Sequence, residues 1–220
     1  MTVLVEVVHT VKPLTNAVFD RWVDWYGTDV IPAMERNGFD VIGAWKRTGG
    51  PMGQDVLLSR FESVAAYEAA GKALRADPKF LAALAKAAEF QVSESVKVCA
   101  FVPYSTEQRL ERALVKPEKP RQFLQAVLNL RQGGQAGAYA TVGKIADTLE
   151  GVGVQLAAAY ETSIGQRGEL TDIWAFAAGG MDLTYRKSNG FLDELTAELR
   201  RYAPEESTYY LSPLPYSKLQ

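Results

Sequence analysis

The stretch GFDVIGAWKRTGGPMGQDVLLSRFES, Gly38 to Ser63, constrains the fold most. Two apolar runs, Phe39 to Lys46 and Asp55 to Phe61, flank the turn cluster Thr48-Gly49-Gly50-Pro51-Met52-Gly53. Short apolar runs on either side of a glycine-proline cluster read as a β-hairpin with a longer loop. Ser63 at its far end is an N-cap, so a helix follows the hairpin directly.

The flanking sequence completes a unit around this hairpin. Val3 to Val11 is almost continuously apolar and β-branched, the pattern of a strand covered on both faces. From the N-cap Thr15, the set Val18, Phe19, Trp22, Val23, Tyr26, Val30, Ala33 and Met34 recurs at helical spacing until Asn37-Gly38. One amphipathic helix is expected there, with a kink near Gly27 or Pro32. Asp77-Pro78 restarts the helix after Ser63 and carries it to about Phe90, and Gln91 to Val102 alternates as a fourth strand. The order is βαββαβ, the ferredoxin-like arrangement.

The second half repeats this plan. Glu94-Ser95 and Pro103-Tyr104-Ser105 recur in one register as Glu206-Ser207 and Pro215-Tyr216-Ser217, and Val11-Lys12-Pro13 recurs as Val115-Lys116-Pro117. Trp45 is answered by Tyr160, and Asp55-Val56 by Asp172-Ile173. The expected organisation is α+β: two tandem ferredoxin-like units, 1–105 and 106–220, whose sheets pack face to face as an intrachain α+β barrel. A ferredoxin-like sheet has helices on one face only, and a second sheet covers the other. Each Val-Lys-Pro is read as closing its unit's first strand. Glu118 to Leu149 is read as an elongated helical region, with Gln132 to Gly137 as a connector between two helices.

Composition narrows the partners. A net charge of -2, with Lys and Arg spread along all 220 residues, offers no basic face for nucleic acid. The single Cys99 excludes an internal disulfide and any cysteine-cluster metal site. The N-terminus lacks a cationic start and a long apolar core, so neither a signal peptide nor a membrane span is expected, and the expected location is cytoplasmic. A monomeric pseudo-dimer or a homodimer is expected.

Gly43-Ala44-Trp45, Gly50-Pro51-Met52-Gly53-Gln54-Asp55-Val56, Ser59-Arg60-Phe61-Glu62-Ser63, Asp77-Pro78-Lys79-Phe80 and Thr10-Val11-Lys12-Pro13 together resemble the NIPSNAP family pattern. The resemblance covers about residues 3 to 103, and the second half only through the repeat. It implies the dimeric α+β barrel superfamily, whose relatives include cofactor-free monooxygenases, cyclases, isomerases and lyases, together with haem proteins.

His9 is the only histidine. By alternation it shares a face with Val3, Val5, Val7 and Val11, either as a core imidazole or as a proton-transfer group that burial keeps neutral near pH 7. Arg60 on the third strand either pairs with a carboxylate or stabilises negative charge on a ligand. The first and third strands are neighbours in this fold, which makes Glu6, His9, Asp55 and Arg60 candidates to lie together. Turn-capping is the simpler role for Asp55 and Asp172. Trp22, Tyr26, Trp45, Asp55, Tyr160 and Trp174 are candidates to line a ligand, and Tyr139, Tyr185 and Tyr209-Tyr210 extend the aromatic supply. Trp25 falls off the apolar stripe and is expected at a mouth or interface.

The expected function is binding of a small hydrophobic, aromatic or polyketide-like molecule with cofactor-independent proton transfer, His9 and Arg60 being the catalytic pair. The alternatives are a non-catalytic binding or interaction protein and a haem protein with His9 as axial ligand.

Overall fold

The computed structural model describes residues 2–12, 15–118, 120–177 and 190–220. The chain divides into two compact units, Met1–Cys99 with Ser212–Leu219, and Ala100–Leu211 with Gln220.

The first unit runs β1 (Val3–Lys12), α1 (Asn16–Trp25), a π-helical turn (Tyr26–Val30), α2 (Ile31–Arg36), β2 (Asp40–Arg47), β3 (Gln54–Phe61), α3 (Val64–Ala76), α4 (Pro78–Ala87) and β4 (Gln91–Phe101). Its strands lie in the ferredoxin-like order β4-β1-β3-β2. The caps are those the sequence proposes: Thr15, Ser63 and Asp77 each accept a backbone N–H of the helix they open. Where a kinked helix is expected, one widened turn separates α1 from α2, with the Ile31 N–H reaching the Tyr26 carbonyl. Pro32 sits in the first turn of α2, directly after this widened turn.

Alternation sorts the sheet. Val3 and Val5 pack with Phe61 and Ala70, and Val11 and Leu57 pack with Phe19, Trp22 and Met34, so the odd residues of β1 face the helices. Trp25 is not at a mouth. It is 8% exposed and stacks on Phe90 at 5.6 Å. The off-stripe angle that suggested exposure is met by a second aromatic layer instead.

The second unit comprises α5 (Glu107–Leu114), β5 (Arg121–Asn129), α6 (Gln135–Glu150), β6 (Val154–Ile164), β7 (Glu169–Ala177), α7 (Phe191–Leu199) and β8 (Glu205–Pro213), with strands in the order β8-β5-β7-β6. Two expectations fail here. Val115-Lys116-Pro117 follows a helix, since Thr106 caps α5 and Leu110 and Ala113 bury its inner face. The helical reading of Glu118 to Leu149 is wrong over its first part, because RQFLQAVLN is β5. Gln, Leu and Ala there are helix formers by local preference, and pairing with β7 and β8 on both sides overrides it.

Gln132 to Gly137 therefore joins a strand to a helix. Gly133 takes a positive φ of 76°, and a Cβ on Gly137 would sit 2.3 Å from the Tyr202 ring. Pro13 and Tyr185 lie outside the described residues.

A buried histidine between two carboxylates

His9 and Asp55 are directly opposed on β1 and β3, so their side chains leave the sheet on the same face. His9 Nδ1 lies 3.1 Å from Asp55 Oδ1. The other carboxylate oxygen, Oδ2, accepts the Trp22 indole N–H at 3.3 Å. Asp55 is 2% exposed and serves this buried pair, so the turn-capping role does not apply to it.

On its other side, His9 Nε2 lies 3.3 Å from Glu94 Oε1 on β4. Nε2 makes no directed hydrogen bond there. The Glu94 side chain is 59% exposed while His9 is fully buried, so Glu94 connects the site to water. The His9 ring also touches the rings of Trp22 and Tyr26, at 5.2 and 5.1 Å.

The charge balance reverses one expectation. Burial by itself drives the imidazole down, but the Asp55 charge and hydrogen bond, reinforced by Glu94, outweigh it and raise His9 to about 9. His9 is a cation at neutral pH. Glu94 in turn is held below the ordinary carboxylate range by His9.

The cluster borders a cavity of about 370 Å³ between the sheet and the helices. His9, Tyr26, Phe39, Leu57, Phe80 and Glu94 are among its lining residues. The π turn places Tyr26 and Val30 on its wall, a use such turns often have. The Tyr26 hydroxyl donates to Met34 Sδ at 3.7 Å, and burial pushes its ionisation well up.

The remaining candidates separate from this group. Arg60 pairs with Leu4, on the opposite face of β1 from His9, and donates to Asp40 at 2.8 Å. Glu6 is on that opposite face too, 3.5 Å from Lys97. The four-residue grouping of Glu6, His9, Asp55 and Arg60 thus reduces to His9 and Asp55, because alternation sends neighbouring rungs to opposite sides. Trp45 pairs with Val56, one rung from Asp55, and its indole lies over Gly43. A Cβ at Gly43 would fall 1.9 Å from that ring, which explains the spacing of Gly43-Ala44-Trp45.

Tyr160 and Trp174 belong to the second unit. Tyr160 is buried opposite Thr171, whereas Trp174 lines a second cavity of about 410 Å³. Asp172 borders that cavity and accepts the Tyr104 hydroxyl at 2.7 Å, so it is not a turn cap either.

Sequence reasoning passed over Glu94 as a site residue. The signal was present: Glu94-Ser95 belongs to the internal repeat, and the fourth strand of this fold lies beside the first.

A haem axial ligand must offer a nitrogen lone pair to iron. With Asp55 at Nδ1 and Glu94 at Nε2, neither ring nitrogen of His9 is open to iron in this arrangement. No helix among the described residues is long and apolar enough to cross a membrane.

No curated protein matches the chain's sequence at a significant level. Among solved structures it is similar to a candidate monooxygenase from Fusobacterium nucleatum, with a TM-score of 0.64, 10% identity, and 97% of this chain covered against 92% of that one. A candidate monooxygenase from Lactobacillus acidophilus gives 0.61 and 14%, covering 97% and 94%. An anthrone oxidase-like protein gives 0.61 and 11%, covering 96% and 91%. At these identities the likeness is one of fold, and the fold is that of the dimeric α+β barrel proteins. Residues 7–106, which hold His9, Asp55 and Glu94, match the NIPSNAP family model, and this part of the chain is a NIPSNAP domain.

Proposed function

We propose that the first unit binds a small, flat, largely apolar molecule bearing a carbonyl or phenol oxygen, and that it catalyses proton transfer on that molecule with its own side chains. The observation that carries this reading is a buried imidazolium on the wall of a mainly apolar cavity, which Ser59, Glu68 and Arg75 also line, with a solvent-connected carboxylate 3.3 Å away.

The ligand oxygen takes the place of Glu94 at Nε2 and receives its hydrogen bond. A buried cation held in fixed position stabilises an enolate or phenolate far better than water does. Asp55 keeps the ring oriented, and the Trp22 indole N–H keeps Asp55 in place. Glu94, displaced but still adjacent, accepts the proton from a carbon that the carbonyl acidifies by conjugation. Tyr26, Phe39 and Phe80 supply aromatic walls for a flat ring. The carbanion so formed can be reprotonated elsewhere, giving isomerisation, or can meet dioxygen. The second outcome draws support from the names of the similar structures, two candidate monooxygenases and an anthrone oxidase-like protein. Arg60 has no part in this scheme.

Anthrone is a suitable probe, since it is flat and apolar, and its methylene, across the central ring from the carbonyl and conjugated to it through the outer rings, is acidic. In D₂O under nitrogen, NMR would follow exchange of its methylene protons, which isolates proton transfer from any oxygen step. The protein is expected to accelerate exchange, and His9→Gln and Glu94→Gln should each lose roughly 100-fold or more of the acceleration. Wild-type rates in both variants would refute the assignment. Binding of anthrone without any accelerated exchange would make the domain a binding module.

A further inference from the structure

The two units can be laid over one another rung by rung. In the first, His9 opposes Asp55; in the second, Ala126 opposes Asp172. Glu206 stands where the repeat places Glu94, on the strand beside β5, and it borders the second cavity as Glu94 borders the first. Leu124 and Trp174 take the places of Val7 and Leu57, and each of these four lines its own unit's cavity. The second unit therefore keeps both carboxylates of the site and replaces the cation between them with a methyl group.

The space left by the imidazole belongs to the cavity of about 410 Å³, whose lining includes Ala126, Asp172, Trp174, Arg200 and Glu206. Its remaining walls are mainly aliphatic, from Leu128, Val142, Ile145, Leu149, Val154 and Leu199. Its two carboxyl groups are not partnered alike. Arg200 donates to Glu206 at 2.6 Å and accounts for that carboxylate. Asp172, 2% exposed, has the Tyr104 hydroxyl as its hydrogen-bond donor, and no cation among the described residues pairs with it. Burial, with the Glu206 charge nearby, raises the Asp172 carboxyl to about 7, so it is only partly ionised at neutral pH, and a ligand that brings a cation beside it draws it into the charged form.

We propose that this second cavity binds a small organic cation, an amine or imidazole-type base with an apolar arm. Its charged nitrogen stands beside Asp172 and Glu206 at the position His9 occupies in the first unit, and the arm lies against Trp174 and the aliphatic wall. This site is separate from the His9 pocket, and nothing in it depends on chemistry there.

Benzylamine is the probe, with benzyl alcohol as its neutral counterpart. Binding is read by calorimetry and by the indole N–H signal of Trp174, identified through Trp174→Phe. Trp174 is the one tryptophan of the second unit, so the signal distinguishes this cavity from the His9 pocket. Benzylamine should shift the Trp174 signal and bind at least ~10-fold more tightly than benzyl alcohol. Asp172→Asn should weaken it by about the same factor. Ala126→His should abolish benzylamine binding by restoring the built-in cation, and its new imidazole should titrate well above 6.5. Equal affinity for amine and alcohol would overturn the proposal, as would unimpaired binding in Ala126→His or no displacement of the Trp174 signal. The Ala126→His titration keeps the idea testable if Asp172→Asn does not fold.

Discussion

His9 makes the protonation argument directly measurable, because a chain with one histidine gives one imidazole signal in a ¹H–¹³C spectrum. The Asp55 and Glu94 charges must override burial for the ring to stand at about 9 rather than 6.5. That rise corresponds to about 3 kcal/mol of preference for the charged form in the folded state. The sign follows from linkage: the folded state holds its proton to higher pH than the unfolded one, so the contribution is fully present below pH 6.5 and is lost as pH rises through 9. His9→Gln removes the cation and leaves Asp55 buried without it, a loss of about 3–5 kcal/mol at pH 6. At pH 10, where His9 is neutral in the wild type too, the gap between wild type and variant should narrow by about 3 kcal/mol. Imidazole titration by NMR, with urea unfolding followed by the fluorescence of Trp22 and Trp25 at each pH, tests both halves of the claim. An imidazole midpoint at or below 6.5, or parallel stability curves for wild type and His9→Gln from pH 6 to 10, would refute the reasoning.

Two further substitutions separate architecture from chemistry. Gly43→Ala drives a methyl group into the fully buried Trp45 indole, which has no space to retreat into, and should cost about 1–3 kcal/mol or more in thermal unfolding while sparing the His9 titration. Arg60→Ala should leave anthrone exchange at the wild-type rate, since Arg60 lies on the far face of β1 and β3 and bonds Asp40. A rate loss comparable to that of His9→Gln would contradict this placement.

Much of the first unit was legible because its signals are local and agree with one another. Thr15, Ser63 and Asp77 act as caps where short polar side chains before apolar periodicity call for them, and the hairpin strands end within a residue or two of the expected bounds. The second unit was harder because its decisive signals are not local. RQFLQAVLN has helical composition and becomes a strand only through two neighbouring strands. The site was half legible for a similar reason. Alternation puts His9 on the helix face, and the strand order makes β3 its neighbour, but the sequence does not give the register between them. A shift of one rung would exchange Asp55 for Gln54 or Val56 opposite His9 and send every side chain of β3 to the other face. The same register sets Arg60 on the face away from His9. The protonation state was unreadable for the same reason: burial alone implies a neutral ring, and the Asp55 charge that overrides it depends on that register, with Glu94 adding to it from a strand some eighty residues away.

The duplication explains how one fold can hold two such different sites. When a ferredoxin-like unit pairs as a homodimer, any substitution appears in both copies, and a change that empties one site empties its twin. Here the copies are separate stretches of a single chain, so the residue at one rung can be histidine in the first unit and alanine in the second. The carboxylates flanking that rung appear in both units. In the first they meet a cation supplied by the chain itself, which fixes the charge and leaves a donor for an anionic or incipiently anionic ligand. In the second, with the imidazole deleted, the same frame selects for a ligand of the opposite sign. Exchanging the two residues, His9→Ala with Ala126→His, should move amine binding from the second cavity to the first, and separate loss of binding in both would show that the rung does not set ligand charge.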